Sequence, residues 1–206
     1  PQTGPGGEVA GSVGAIDAGG SNVDLCGEGL MVAVDLDSDT EIRLDGKGGS
    51  IVATDVALDN YQNTNGDGQV RFVADGSIDV SDSTVDSARK ISLDGGRLTL
   101  TGATLDNYQN TNGGGVITLT GPDGIDAADA SLQTAGDVVA VAGRGPVDLE
   151  GATLDNYQNT NGDGSVRVTA DADLNLRDAR VDTAGDIDLS GRGGAVGGPR
   201  RGGGLF

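Results

Sequence analysis

The sequence predicts an all-β fold, a parallel β-solenoid of about eight coils, and three observations carry that prediction. The nine residues "LDNYQNTNG" recur unchanged at Leu58, Leu105 and Leu154, which sets periods of 47 and 49 residues. Within each period two similar half-units share one skeleton: apolar-x-apolar, a Gly/Asp turn, apolar-x-apolar, a small residue, one more apolar residue and a polar corner. No stretch shows the 3.6-residue apolar spacing of an amphipathic helix, whereas spacing of two is everywhere.

The elements follow in order. Residues 1–22 are a Gly-rich segment with a weak first unit near Val9, residues 23–192 form the solenoid, and 193–206 read as a Gly/Arg-rich tail. One kind of half-unit begins at Val70, Ile117 and Val166, as in "VRFVADGSIDVSDSTVDSARK", and the other at Ile42, Ile91 and Val139. Alternation places Val70 and Phe72, Ile78 and Val80, then Val85 on one face of successive short strands, with Asp, Ser, Thr and Arg on the other. Strands this short bury nothing alone, so their apolar positions must coincide when stacked. Ile42, Ile91 and Val139 are expected in one inward column, and Leu58, Leu105 and Leu154 in another. Thr104 is expected to face out. At about 4.8 Å per coil the stack is a rod about 40 Å long.

Asp and Glu number 32 against 13 Lys and Arg, a net charge of -19, so nucleic acid and anionic membrane surfaces would repel the chain. The acids are nearly all Asp, and Lys47 and Lys90 are the only lysines. This bias, with the low aromatic content, resembles proteins of salt-loving archaea, which hold a hydrated carboxylate surface in concentrated salt. Cys26 stands alone, so no internal disulfide is expected. No apolar run reaches the roughly 18 residues needed to span a bilayer, so no membrane insertion is expected. With no His, the His-dependent general-base and nucleophile arrangements are excluded. The carboxylates are too many for any pair to stand out as a glycosidase dyad. The chain is therefore expected not to be an enzyme.

The stretches "ISLDGGRLTLTGATLDN" and "VDTAGDIDLSGRGG" resemble the right-handed parallel β-helix repeats of filamentous-haemagglutinin-like surface proteins, over about Ile42 to Gly194. The resemblance implies a secreted, surface-exposed role, structural or adhesive. The extreme acidity and the Asn-rich corner depart from that pattern.

The fixed corner is where function is expected. Asn60, two residues after an inward Leu58, should point in and hydrogen-bond along the stack. That role demands one or two fixed residues, yet nine are fixed while the flanking strands have diverged. Two uses of the remainder stay open. Asn63-x-Asn65-x-Asp67-Gly68 and Asn159-x-Asn161-x-Asp163-Gly164 have the oxygen spacing of a calcium loop, which makes calcium (Ca2+) a candidate ligand. Against it, the twelfth position is Ala74 or Ala170 and the middle copy has Gly114 in place of Asp. Alternatively Tyr61, Gln62, Tyr108, Gln109, Tyr157 and Gln158 form a contact ridge for a glycan or cell surface, with tyrosines about every 10 Å, and equally open is that each Tyr folds back to cover the coil edge. A carbohydrate-binding or carbohydrate-processing β-helix is the alternative to a structural or adhesive rod. The coil ends, without an evident cap, are expected to self-associate end to end into filaments.

Overall fold

The computed structural model of the chain describes residues 8–9, 15–60, 68–107, 115–156 and 164–193. The chain winds through eight coils with strands on three faces, the last strand of the seventh coil continuing onto the first face of the eighth. The first two coils are β1 (Glu8–Val9), β2 (Ala15–Asp17), β3 (Val23–Cys26), and β4 (Leu30–Val32), β5 (Asp35–Asp37), β6 (Glu41–Asp45). The third and fourth are β7 (Ile51–Val52), β8 (Ala57–Asn60), β9 (Gln69–Val73), and β10 (Ser77–Asp79), β11 (Thr84–Ser87), β12 (Lys90–Asp94). Then come β13 (Arg97–Thr99), β14 (Thr104–Asn107), β15 (Val116–Thr120), and β16 (Ile125–Asp126), β17 (Ser131–Thr134), β18 (Asp137–Ala142). The last two are β19 (Val147–Asp148), β20 (Thr153–Asp155), β21 (Val166–Asn175), and β22 (Arg180–Asp182), β23 (Ile187–Gly193).

The second strand of every coil belongs to one eight-stranded sheet, β2-β5-β8-β11-β14-β17-β20-β22. The first and third strands form two further ladders, which join because the ten-residue β21 runs from one into the other. Every register between described strands is parallel. The chain is thus an all-β parallel solenoid.

Register turns the period-two alternation into continuous inward columns. On the middle face Ile16, Leu36, Leu58, Val85, Leu105, Leu132, Leu154 and Val181 stack one per coil. On the third face Ile42, Val70, Ile91, Ile117, Val138 and Val166 do the same. Val70, Phe72, Ile78, Val80, Val85 and Leu105 are fully buried, as the alternation requires. Val139 is a correction. It pairs with Thr118 and Arg167 on the outer side, and Val138 takes the inward place. The run "DVVAVA" is apolar at nearly every position, so alternation alone leaves its phase open. The neighbouring Ile117 fixes it.

The turn between the first and second faces is left-handed at Asp55 and Asp82 (both φ 56°), Gly102 (φ 69°), Asp129 (φ 57°), Gly151 (φ 70°) and Asp178 (φ 55°), with Asp and Gly alternating from Asp82 onward. Asp tolerates this region better than most side chains, and Gly enters it freely. Their alternation has a packing cause. A Cβ on Gly102 would lie 2.6 Å from the Asp82 carboxylate, and one on Gly151 would collide with Asp129. From Asp82 to Asp178 this corner therefore also repeats every two coils, whereas Asp55 precedes Asp82 as a second Asp in succession.

Candidate functional site

At the corner between the second and third faces, one column of side chains alternates hydroxyl and amide: Ser38, Asn60, Ser87, Asn107, Thr134, Asn156, then Thr183. All but Thr183 are fully buried. The alternation matches two corner lengths. Two residues, 88 and 89, separate Ser87 from Lys90, whereas eight, 61–68, separate Asn60 from Gln69, the register partner of Lys90. The same contrast recurs at Thr134 and Asp137 against Asn107 and Val116. Long and short corners take turns up one edge of the rod.

The hydroxyl closes the short corner locally. Ser87 Oγ accepts from the Arg89 N–H (3.4 Å), and Thr183 Oγ1 from the Gly185 N–H (3.2 Å). Each also donates one coil back, Ser87 to the Gly68 carbonyl and Thr183 to the Gly164 carbonyl, both at 3.2 Å. Where a long corner begins, the asparagine amide bonds to the coils on either side. Asn60 donates from Nδ2 to the Thr40 carbonyl (3.2 Å) in the coil before and accepts at Oδ1 from the Ala88 N–H (3.2 Å) in the coil after. Asn156 does the same with the Gly136 carbonyl (3.0 Å) and the Ala184 N–H (3.1 Å). An amide offers one donor side and one acceptor side, as a peptide group does, which is why Asn suits the place. Asn107 donates to the Arg89 carbonyl at 3.0 Å, but its buried Oδ1 has no hydrogen-bond partner among the described residues.

The long corners return at Gly68, Gly115 and Gly164, where a side chain would crowd the buried asparagine. A Cβ would lie 3.1 Å from Asn60 Nδ2, 2.9 Å from Asn107 Oδ1 and 2.9 Å from Asn156 Nδ2. The fold thus accounts for the Leu and the Asn of "LDNYQNTNG", and for the glycine two residues beyond it. Tyr61, Gln62, Asn63, Asn65, Asp67, Tyr108, Gln109, Tyr157, Gln158, Asn159, Asn161 and Asp163 lie outside the described residues. The described residues on either side of them, Asn60 and Gly68, Asn107 and Gly115, Asn156 and Gly164, lie on every second rung of one edge. Ala74 and Ala170, at the twelfth position of the calcium-like spacing, are buried in the core. Among the described residues no cluster of three His, Cys, Asp or Glu is arranged to hold a metal.

Beside the corner column, on the outer side of the same sheet, runs a ladder of carboxylates that the sequence reading missed. Asp17, Asp37, Asp59, Asp86, Asp106, Gln133, Asp155 and Asp182 are in register. Its signal was present in the sequence as an Asp one place after the inward Leu or Val: "ALDN", "TVDS", "TLDN", "RVDT". Like charges opposite one another in a sheet repel. Burial first, then Asp106 and Asp59, push the Asp86 carboxyl up to about 6. Burial, then Asp59, Asp17 and Asp39, also raise Asp37. A shifted carboxyl is often a catalytic signature, but here the shift follows from half-burial within a column of acids.

No protein-family model, curated protein or solved structure matches the chain.

Proposed function

We propose that this chain is a non-enzymatic, extracellular structural or adhesive surface protein, a rod whose long corners make contact with other molecules. The observation that carries the reading is the pair of corner lengths. Short corners turn the chain between the same two faces, in the same register, with two intervening residues where long corners spend eight. Six residues per long corner are therefore surplus to turning, yet "YQNTNG" is identical in all three copies while the strands beside it differ. Sequence kept fixed without a demand from the fold points to an outside partner. Anchors two coils apart set the three segments about 10 Å apart, a spacing suited to successive units of a polymer or a repeating surface.

The chemistry of the segments favours glycans. Tyr offers an aromatic face to a sugar ring, and Gln and Asn offer paired donors and acceptors to its hydroxyls. Three weak contacts on one rod gain by multivalency what each lacks alone. The high-salt composition and the likeness to secreted repeat proteins support a place outside the cell. Binding of the chain to an array of immobilised polysaccharides, compared with a Tyr61→Ala, Tyr108→Ala, Tyr157→Ala variant, tests the reading. Binding lost in the variant with the melting temperature kept is the expected result. Equal binding by both proteins removes the tyrosines from the contact, and glycan turnover by the parent replaces the adhesive reading with an enzymatic one.

A further inference from the structure

We propose that the rod stacks on a second copy of itself head to tail, with β22 of one copy pairing in parallel with β2 of the next, and β23 with β3. Among the described residues, β2 pairs only with β5, β3 with β6, β22 with β20 and β23 with β21. Each end therefore presents backbone N–H and C=O groups with a ladder still to extend. The apolar columns are open there too. Ile16 and Leu25 at one end, and Val181 and Leu189 at the other, are only partly buried, and Ile187 is 50% exposed. The same columns are closed inside the stack.

The two ends match each other in direction and register. All strands of one face run the same way, so displacing a copy along the axis keeps every new pair parallel, as inside. Extending the internal registers sets Val181 beside Ile16, Ile187 beside Val23 and Leu189 beside Leu25, apolar against apolar in three columns. The corner alternation stops short of the joint, since the first coil carries Ala18 in the column where the third, fifth and seventh carry Asn60, Asn107 and Asn156. The last coil has a short corner at Thr183. The first coil of the next copy has a longer one, with three residues between Ala18 and Asn22. Charge opposes it in part: Asp182 meets Asp17 and Asp188 meets Asp24, with Arg180, Arg167 and Arg43 beside Asp182, Asp188 and Asp24 as exposed, weak partners. The joint repeats the like-charge stacking of the ladder without a covalent link to hold it, so it needs concentrated salt. Such a contact is heterologous and does not close, and its product is a filament.

The single cysteine supplies the test. In this register Cys26 lies beside Ser190, at the roughly 5 Å between adjacent strands, within the Cα range of a disulfide. A Ser190→Cys variant, oxidised in molar KCl, should give reducible dimers, trimers and longer species. A Thr169→Cys variant carries its second thiol one coil further in, beside position 190, and should crosslink no more than random collision allows. Equal ladders from the two variants overturn the register. A Ser190→Cys ladder undiminished in dilute buffer overturns the like-charge joint. Light scattering of the unmodified chain in molar KCl bears on the stacking without any variant, and a monodisperse monomer at high concentration overturns it. Neither Cys26 nor Ser190 lies in a long corner, so end-to-end stacking and glycan contact can fail separately.

Discussion

Replacing Asp86 by Asn should stabilise the solenoid at neutral pH, and should cease to do so in acid. Asp86 sits half-buried between Asp59 and Asp106, one coil below and one above. Its carboxyl is pushed from the ordinary 3.8 to about 6 by burial and by those two neighbours. Two units at about 1.36 kcal/mol each set a ceiling near 3 kcal/mol, and solvent screening at a partly exposed site reduces this to about 1–2 kcal/mol. The sign follows from the raised value. The folded protein holds the proton more tightly than the unfolded chain, so the stability from this group is fully present below pH 3.8 and is lost as pH rises through about 6. Asn keeps the shape and carries no charge at any pH. Urea unfolding of parent and variant, at constant ionic strength, should show the variant ahead by about 1–2 kcal/mol at pH 8, with the gap closing between pH 6 and 4. A variant less stable than the parent at pH 8, or a gap independent of pH, would refute the ladder as the cause.

Two further outcomes follow from the same geometry. With a net charge of -19 on a slender rod, the melting temperature should rise from dilute buffer to molar KCl as the carboxylates are screened; a flat or falling trend contradicts this. Leu105 is fully buried between Val85 and Leu132, so Leu105→Asp should cost about 3–5 kcal/mol, whereas Thr104→Asp, on the outer side, should cost less than about 1 kcal/mol; equal losses in denaturant titrations would overturn the inward and outward assignment.

The columns of the core were legible because alternation is local: Val70 and Phe72, then Ile78 and Val80, declare their face within a few residues. Where every residue is apolar, as around Val138 and Val139, the phase is set by the coil next door, and local pattern fails. The inward Asn60 was legible from its distance to Leu58. Its bonds to Thr40 and Ala88, twenty and twenty-eight residues away, were not, because they depend on which coil is neighbour to which. The carboxylate ladder escaped for the same reason. Each Asp looks like an ordinary outward polar residue until the register lines them up. The calcium-like spacing and the tyrosine ridge belong to segments outside the described residues, so they remain readings of the sequence.

The surplus of the long corners is the claim most open to direct measurement. Converting each of the three into a short corner, by cutting six residues and setting Ser at positions 60, 107 and 156, removes "YQNTNG" and restores the corner that the rod already uses at Ser87. If the long corners serve an outside partner, the shortened protein should melt within a few degrees of the parent and should lose binding to the polysaccharide array. A shortened protein that unfolds, or one that binds as the parent does, would contradict the account.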